Sequence, residues 1–398
     1  VVAEFAKRQI DYFHGLPPAL KGRETTRNGA LAMVHYARAE RILGDLQAAT
    51  VSTGEAIRLL EQQRAAGDQS EATIIALALS YATQALILDN QNDPAGPFAG
   101  QRASELLRPL AESPDASVAV RRAYVEVLVR RGYEQLNGLE NAAAIRTEQQ
   151  AMRLATELGA RDLSNLEMGA YYVEAGAWLV PALVNMGRNA EARSRGEDAV
   201  ALADKVLEQR PGYRLALHGQ QVIESSLSNV AQNELNPAEA VRVGLRTEQI
   251  SNTLLKLDPD NIVTVNNLGV AHQTLGDSLW AAGKLGAAIS YYLRSLDDYG
   301  RATVGGAGFV IVRAYSVAST AYRQAQIGDA NGAAATIASG APYLEKLRQN
   351  ESQAKVAQAI VESLGKMAAA AAAFERDDYA ATGSFATAAA GQLRAITP

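Results

Sequence analysis

A turn followed by a small-residue pair recurs along the chain, and this recurrence restricts the fold more than any other feature. It reads Gly44-Asp-Leu-Gln-Ala-Ala49, Gly187-Arg-Asn-Ala-Glu-Ala192, Gly283-Lys-Leu-Gly-Ala-Ala288 and Gly328-Asp-Ala-Asn-Gly-Ala333. Weaker copies end at Ala99, Ala142, Ala240 and Ala380. The eight anchor alanines stand 43 to 50 residues apart, with a mean near 47. A fixed period in this range marks an array of stacked supersecondary units, each of which needs its neighbours to cover its apolar face.

The chemistry of the signature is that of a helical hairpin. Gly or Asn closes the first helix in a left-handed cap, and the second helix begins within a few residues. The small anchor lets the two antiparallel helices approach. Around the sixth turn, Val265, Leu268, Gly269, His272, Leu275, Gly276 and Leu279 recur at helical spacing, followed by Ala288, Ile289, Tyr292 and Leu296. Prolines fall mainly at helix starts and in loops; Pro181, inside an apolar helical run, predicts a kink. The expected fold is an all-α superhelical solenoid, read as a single array over 1–398. Residues 1–22 form a leading helix and turn, with an apolar stripe of Val2, Phe5, Ala6, Ile10 and Phe13. Residues 23–398 form about eight antiparallel hairpins. Their turns lie near residues 45, 94, 138, 188, 236, 284, 329 and 377, and the loops between hairpins near 67, 113, 161, 211, 259, 305 and 351.

Residues 262–300 resemble a tetratricopeptide repeat (TPR). Leu275-Gly276, Trp280, Gly283, Ala288 and Tyr292 match that family's Leu-Gly, aromatic, Gly, Ala and aromatic positions in order. The period departs from the family's roughly 34 residues, so each helix here is expected to run to about 20 residues, or about 30 Å. The resemblance implies that the first helix of each hairpin lines a concave groove in which a peptide or protein partner lies. The family's spacing then places His35, Arg38 and Arg41 inward in the first hairpin, and Ser225, Asn229 and Asn233 in the fifth. In the sixth it places Gln273 and Asp277, and in the seventh Tyr315 and Tyr322. Arg and Asn suit an extended backbone or a carboxylate, and Tyr supplies area at low entropic cost. The family's carboxylate clamp is not intact here. The run from Leu275 to Ala288 also resembles turns in the carboxy-terminal repeat regions of multi-domain bacterial signalling proteins. There such repeats follow a catalytic head and serve as a sensor or assembly arm.

Charge and composition exclude several alternatives. Net charge is −5, with 38 Lys+Arg against 43 Asp+Glu, which gives no electrostatic case for nucleic acid or an anionic membrane. The chain has no cysteine, which removes disulfides, thiolate catalysis and Cys-ligated zinc and is compatible with a cytoplasmic location. Its four histidines, His14, His35, His218 and His272, include no pair three or four residues apart, so no helical metal pair is expected. No Walker, GxSxG or HExxH motif is present. The glycine-rich stretch from Gly300 to Gly308 reads as an inter-hairpin loop. Asp297-Asp298 and Asp377-Asp378 read as turn or helix-end carboxylates, the latter as an N-cap. Arg121-Arg122 and Arg130-Arg131 form the densest basic cluster. Being nine residues apart, the pairs are read as sharing one side of a helix and docking an acidic partner.

The expected function is therefore a non-catalytic interaction or regulatory scaffold that needs no cofactor and binds a protein or peptide, with a second copy of itself as a further partner. The start at Val1-Val2 is read as that of a fragment of a longer protein. The alternative is a stand-alone ligand-binding or assembly protein, secreted or periplasmic, with Tyr171-Tyr172 and Tyr291-Tyr292 stacking on sugars.

Overall fold

The computed structural model describes residues 2–302, 307–348, 354–374 and 376–394. Among them are seventeen α-helices and no strand. The leading helix is α1 (Val2–Gly15). Five hairpins follow: α2 (Arg23–Leu43) with α3 (Leu46–Ala65), α4 (Glu71–Asn90) with α5 (Gly96–Ala111), α6 (Val118–Asn137) with α7 (Asn141–Glu157), α8 (Leu166–Asn185) with α9 (Asn189–Gln209), and α10 (Arg214–Asn233) with α11 (Pro237–Leu257). The last three are α12 (Ile262–Ala281) with α13 (Leu285–Ala302), α14 (Ala307–Gln326) with α15 (Ala330–Arg348), and α16 (Ala354–Phe374) with α17 (Tyr379–Arg394). All eight expected turns are found. The loops expected near 305 and 351 lie outside the described residues.

One local device closes every hairpin. A residue with positive φ stands at each turn: Gly44, Asn92, Leu139, Gly187, Leu235, Gly283, Gly328 and Asp377, 45 to 49 residues apart. The residue after it donates its backbone N–H to the carbonyl five positions back. The bonds Asp45→Glu40, Asp93→Leu88, Glu140→Gln135, Arg188→Leu183, Asn236→Ala231, Lys284→Leu279, Asp329→Gln324 and Asp378→Ala373 are all 2.8–3.0 Å. This is the bond of a Schellman cap, which satisfies a carbonyl the helix end leaves open. In four hairpins that same residue then N-caps the next helix: the carboxylate or amide oxygen of Asp45, Asn236, Asp329 and Asp378 accepts from the N–H three residues on, at 2.9–3.2 Å.

The left-handed residue is a better origin than the anchor alanine. Five residues beyond it lie Ala49, Ala144, Ala192, Ala240, Ala288 and Ala333, all buried. Ala142 and Ala380, expected as anchors, are exposed; Ala144 takes the place of the first and half-buried Thr382 that of the second. Three further expectations change. Phe5 is exposed while Ala6 and Phe13 carry the buried face of α1; the side chain of Val2 lies outside the described residues. Pro181 sits inside α8, but Pro109 and Pro342 also lie within helices, so it is no exception. Asp298 is not at a helix end: it is buried within α13 and meets His272 Nδ1 at 2.7 Å.

Chain contacts divide the protein into residues 1–264 and residues 265–398. In the first unit each helix packs on the next, and the first helices also pack on one another: α2 on α4, α4 on α6, α6 on α8 and α8 on α10. No second helix has a comparable contact with the next second helix among the described residues. The row of first helices is therefore the compressed, inner side. The core between the rows is continuous from α4 to α11. Fully buried Leu179, Leu183 and Ile223 each contribute about 2 kcal/mol. By length and composition α4 could cross a bilayer, but half of its apolar window is buried against the helices around it. It serves here as a core helix. In the second unit, Val310, Ala314, Val317 and Met367 centre a smaller core.

Two buried carboxyls sit on glycines. Glu134 on α6 lies against Gly100 of α5, and Glu148 on α7 lies against Gly132 of α6; a Cβ at either glycine would overlap the carboxyl. Glu148 is wholly buried and neither of its oxygens has a hydrogen-bond partner.

Candidate functional site

Side chains from all five inner helices of residues 1–264 converge. From α2, Arg38 donates Nε to Thr83 Oγ1 of α4 at 3.1 Å and Nη2 to Glu126 Oε1 of α6 at 2.9 Å. The second bond passes over a whole hairpin. Arg130 of α6 reaches the same carboxylate oxygen. One turn beyond Arg38, Arg41 donates Nη1 to the Asn90 carbonyl Oδ1 at 3.0 Å. From α6, the Tyr133 hydroxyl donates to Asp89 Oδ2 at 3.0 Å, and Asn137 donates to Oδ1 at 3.2 Å. The Tyr133 ring lies 4.7 Å from Trp178 of α8, which lies 5.7 Å from His218 of α10. His218 Nδ1 meets Glu174 Oε2 at 2.9 Å. Arg38, Arg41, Glu126, Arg130, Tyr133, Trp178 and His218 are all half-buried, so the cluster lines a surface.

The electrostatics follow from burial among like and unlike charges. Burial works to raise the Glu126 carboxyl, but the flanking Arg38 and Arg130 outweigh it and hold it at about 2. Arg41 is brought down to about 10 by burial, with Arg130 and Arg38 adding repulsion; it remains charged at neutral pH. His35 is exposed at the edge of the cluster and is lowered by burial of its ring and by Arg38. Burial opposes protonation of His218, yet Glu174 raises it above the ordinary imidazole value.

The remaining residues singled out in the sequence fall elsewhere. On α10, Asn229 is exposed and Ser225 half-buried. Asn233 donates to Asn189 Oδ1 at 3.3 Å, as Asn185 does to Asn141 at 3.1 Å one repeat earlier. It ties its hairpin to the preceding one, as Asn185 does one repeat earlier. In residues 265–398, Gln273 accepts from Tyr299 and Ser316 at 3.1 and 3.0 Å. Asp277 accepts from Tyr292 and Arg323 at 2.8 and 2.7 Å, with Arg323 over the Trp280 and Tyr292 rings. Both residues tie α12 to its own hairpin partner α13 and to α14 of the next hairpin. Tyr315 and Tyr322 are half-buried against the smaller core.

The four arginines of α6 do not share a face. Nine residues are two and a half turns at 3.6 residues per turn, which is opposite sides. Arg122 is exposed and pairs with Glu167. Arg121 lies half-buried beside the Pro114 carbonyl. Arg130 faces the inner cluster, and Arg131 is held by Glu134 and the Pro97 carbonyl. Tyr172, read as half of a stacking pair, is buried with its hydroxyl on Asp198.

Glu126, Tyr133, Glu174, Trp178 and His218 were not singled out from the sequence. For Trp178 the signal lay in the turn register: it stands nine residues before the left-handed Gly187, as Arg130 does before Leu139 and His35 before Gly44. Among the described residues no group of three or more His, Asp or Glu side chains is arranged to hold a metal.

No protein-family model matches the chain, and no curated protein sequence matches it. Among solved structures it is similar to the apo form of RapI, at 10% identity over 92% of this chain and 98% of that one, with a TM-score of 0.51. It is also similar to a Rap protein complexed with competence and sporulation factor, at 8% identity over 92% and 99% of the two chains, with a TM-score of 0.52. A third structure, aspartyl phosphate phosphatase F from Bacillus subtilis, aligns at 10% identity over 95% and 96% with a TM-score of 0.48. At these identities the first two likenesses show the fold, a TPR-like array of helical hairpins.

Proposed function

We propose that the chain is a non-catalytic interaction scaffold that binds a short extended peptide on the inner face of residues 1–264. The observation that carries this reading is the convergence of half-buried Arg38, Arg41, Arg130, Tyr133, Trp178 and His218 from four inner helices onto one surface. Such a surface offers fixed donors for a backbone or carboxylate and rigid rings for a side chain. One protein of matching fold is complexed with competence and sporulation factor, which supports a binding role for an array of this kind. In the same reading the array is the sensor or assembly arm of a bacterial signalling protein, acting in the cytoplasm without a cofactor. The test is to pan a random short-peptide display library against the whole chain and measure enriched peptides by calorimetry. Binding is expected to be lost in Tyr133→Ala/Trp178→Ala and kept in Arg242→Ala on the outer helix α11. No enrichment, or binding that ignores the inner-face change, removes the reading.

A further inference from the structure

We infer that this inner face selects ligands that carry a carboxylate beside a flat apolar side chain, the carboxylate seated on Arg41 and the flat group on the Tyr133–Trp178 ring pair. The inference rests on the peptide-binding reading above and narrows it.

The first observation is an arginine with no anion in contact, although the Asp89 carboxylate acts on it from farther off. Arg38 and Arg130 share a single carboxylate, Glu126. The Asp89 carboxylate receives Tyr133 and Asn137, and Glu174 is paired with His218. Arg41 is left with the neutral Asn90 oxygen as its partner on Nη1, and its Nε is buried with no acceptor. No carboxylate of the described residues comes within salt-bridge distance of it. A desolvated cation without an anion is costly. A guanidinium is also the side chain whose planar fork fits a carboxylate through two hydrogen bonds. An incoming carboxylate thus supplies the contact that Arg41 lacks.

The second observation is independent of charge. Trp178, one of two tryptophans in the chain, is half-buried on α8 between Tyr133 and His218. Its pair with Tyr133 is tilted by 58° and both rings are half-buried, which leaves ring surface for a further partner. Arg41 bonds Asn90 and Tyr133 bonds the preceding residue, Asp89, so the carboxylate seat and the rings adjoin.

The surroundings decide between ligand classes. A cationic side chain meets three arginines, and the three carboxylates are already occupied: Glu126 by Arg38 and Arg130, Glu174 by His218, and both Asp89 oxygens by Tyr133 and Asn137. A polyanion such as a nucleic acid meets Asp89, Glu126 and Glu174, and one unpaired arginine does not balance several phosphates. A peptide with one carboxylate next to Trp, Tyr or Phe fits both halves.

The test uses fluorescein-labelled hexapeptides and the whole chain, read by anisotropy. The set crosses Trp, Phe or Ala with a neighbouring Glu, Gln or Lys, each with a free or amidated C-terminus; adenosine monophosphate is added as a competitor. Peptides pairing an aromatic residue with Glu, or ending on an aromatic residue with a free carboxylate, are expected to bind at least tenfold tighter than their Gln or amidated counterparts. Which pair separates tells whether the carboxylate comes from a side chain or the terminus. Arg41→Gln is expected to abolish the Glu-over-Gln preference and keep the Trp-over-Ala preference; Trp178→Ala is expected to do the reverse. Circular dichroism melting checks each variant, and Arg41→Lys, which keeps the charge but loses the fork, replaces Arg41→Gln if that variant does not fold. Peptide binding with no preference for acid, a preference for Lys, or displacement by adenosine monophosphate below peptide concentrations overturns the inference and leaves a peptide groove standing. Binding of no peptide removes both.

Discussion

Replacing Leu235 by glycine is expected to stabilise the fifth hairpin. Leu235 holds φ 57 in the turn between α10 and α11, where the first, fourth, sixth and seventh hairpins carry glycine. An L-residue in this region is strained by about 1–2 kcal/mol through contact of Cβ with the backbone. The side chain returns little, because it is 88% exposed; removing the buried remainder costs about 0.3 kcal/mol. Glycine also costs about 0.5–1 kcal/mol through the freedom it gives the unfolded chain. The balance is a gain of about 0.5 kcal/mol over the parent. Against Leu235→Ala, which keeps Cβ and loses the same contacts, the gain is about 1 kcal/mol. The change is confined to one turn, so the reading is local. Hydrogen exchange at the Asn236 amide, which donates to Ala231 across this turn, is expected to be about fivefold slower in Leu235→Gly than in Leu235→Ala. Equal rates, or slower exchange in the alanine variant, would refute the claim that backbone strain sits at this position. Gly187→Ala, at φ 71, is the converse control and is expected to lose a similar amount.

Three further outcomes are expected. Burial holds the Glu134 carboxyl up at about 8 against the pull of Arg131, and burial with Glu174 nearby raises Glu148. A carboxyl raised in the folded state contributes fully below about pH 4.5 and loses that contribution as pH climbs through the raised value. The parent is therefore expected to lose on the order of 3 kcal/mol from Glu134 by pH 7, and urea midpoints of Glu134→Gln/Glu148→Gln are expected to vary much less between pH 5 and 8. Gly132→Ala is expected to cost about 2–3 kcal/mol, since its Cβ overlaps the Glu148 carboxyl; in Glu148→Ala the same change is expected to cost much less, a coupling that a double-mutant cycle measures. Glu126→Ala leaves Arg38 and Arg130 facing each other without their shared anion and is expected to cost about 3 kcal/mol, read by chemical denaturation at low and high salt.

The hairpins were legible because their turns are written in local chemistry. Gly44, Gly187, Gly283 and Gly328 announce left-handed caps, and a cap needs only its own few residues. The weaker turns show the limit of that logic. Asn141-Ala-Ala-Ala144 offers three alanines, and only the path of α7 against α6 decides that Ala144 is the buried one. Leu139 and Leu235 carry no turn signal, since the two helices packed on either side impose the conformation. The inner site was half legible: His35, Arg38 and Arg41 came from counting along a family pattern. The rest of the cluster was not, because Glu126, Tyr133, Trp178 and His218 lie on three other helices and meet only when the hairpins stack. The α6 arginines misled for the opposite reason: a linear cluster takes no account of which way a helix turns.

The Arg38–Glu126 bond joins residues 88 apart and links the first hairpin to the third, whereas neighbouring hairpins are joined by bonds such as Asn185–Asn141, 44 apart. A coil whose turns touch only their neighbours lengthens like a loose spring, each junction yielding on its own. A tie from one turn to the next but one makes the first three turns yield together or not at all. The stiff segment so defined includes the arginines of the inner cluster, so the spacing of those charges is set by the elasticity of the backbone as much as by any side-chain rotamer.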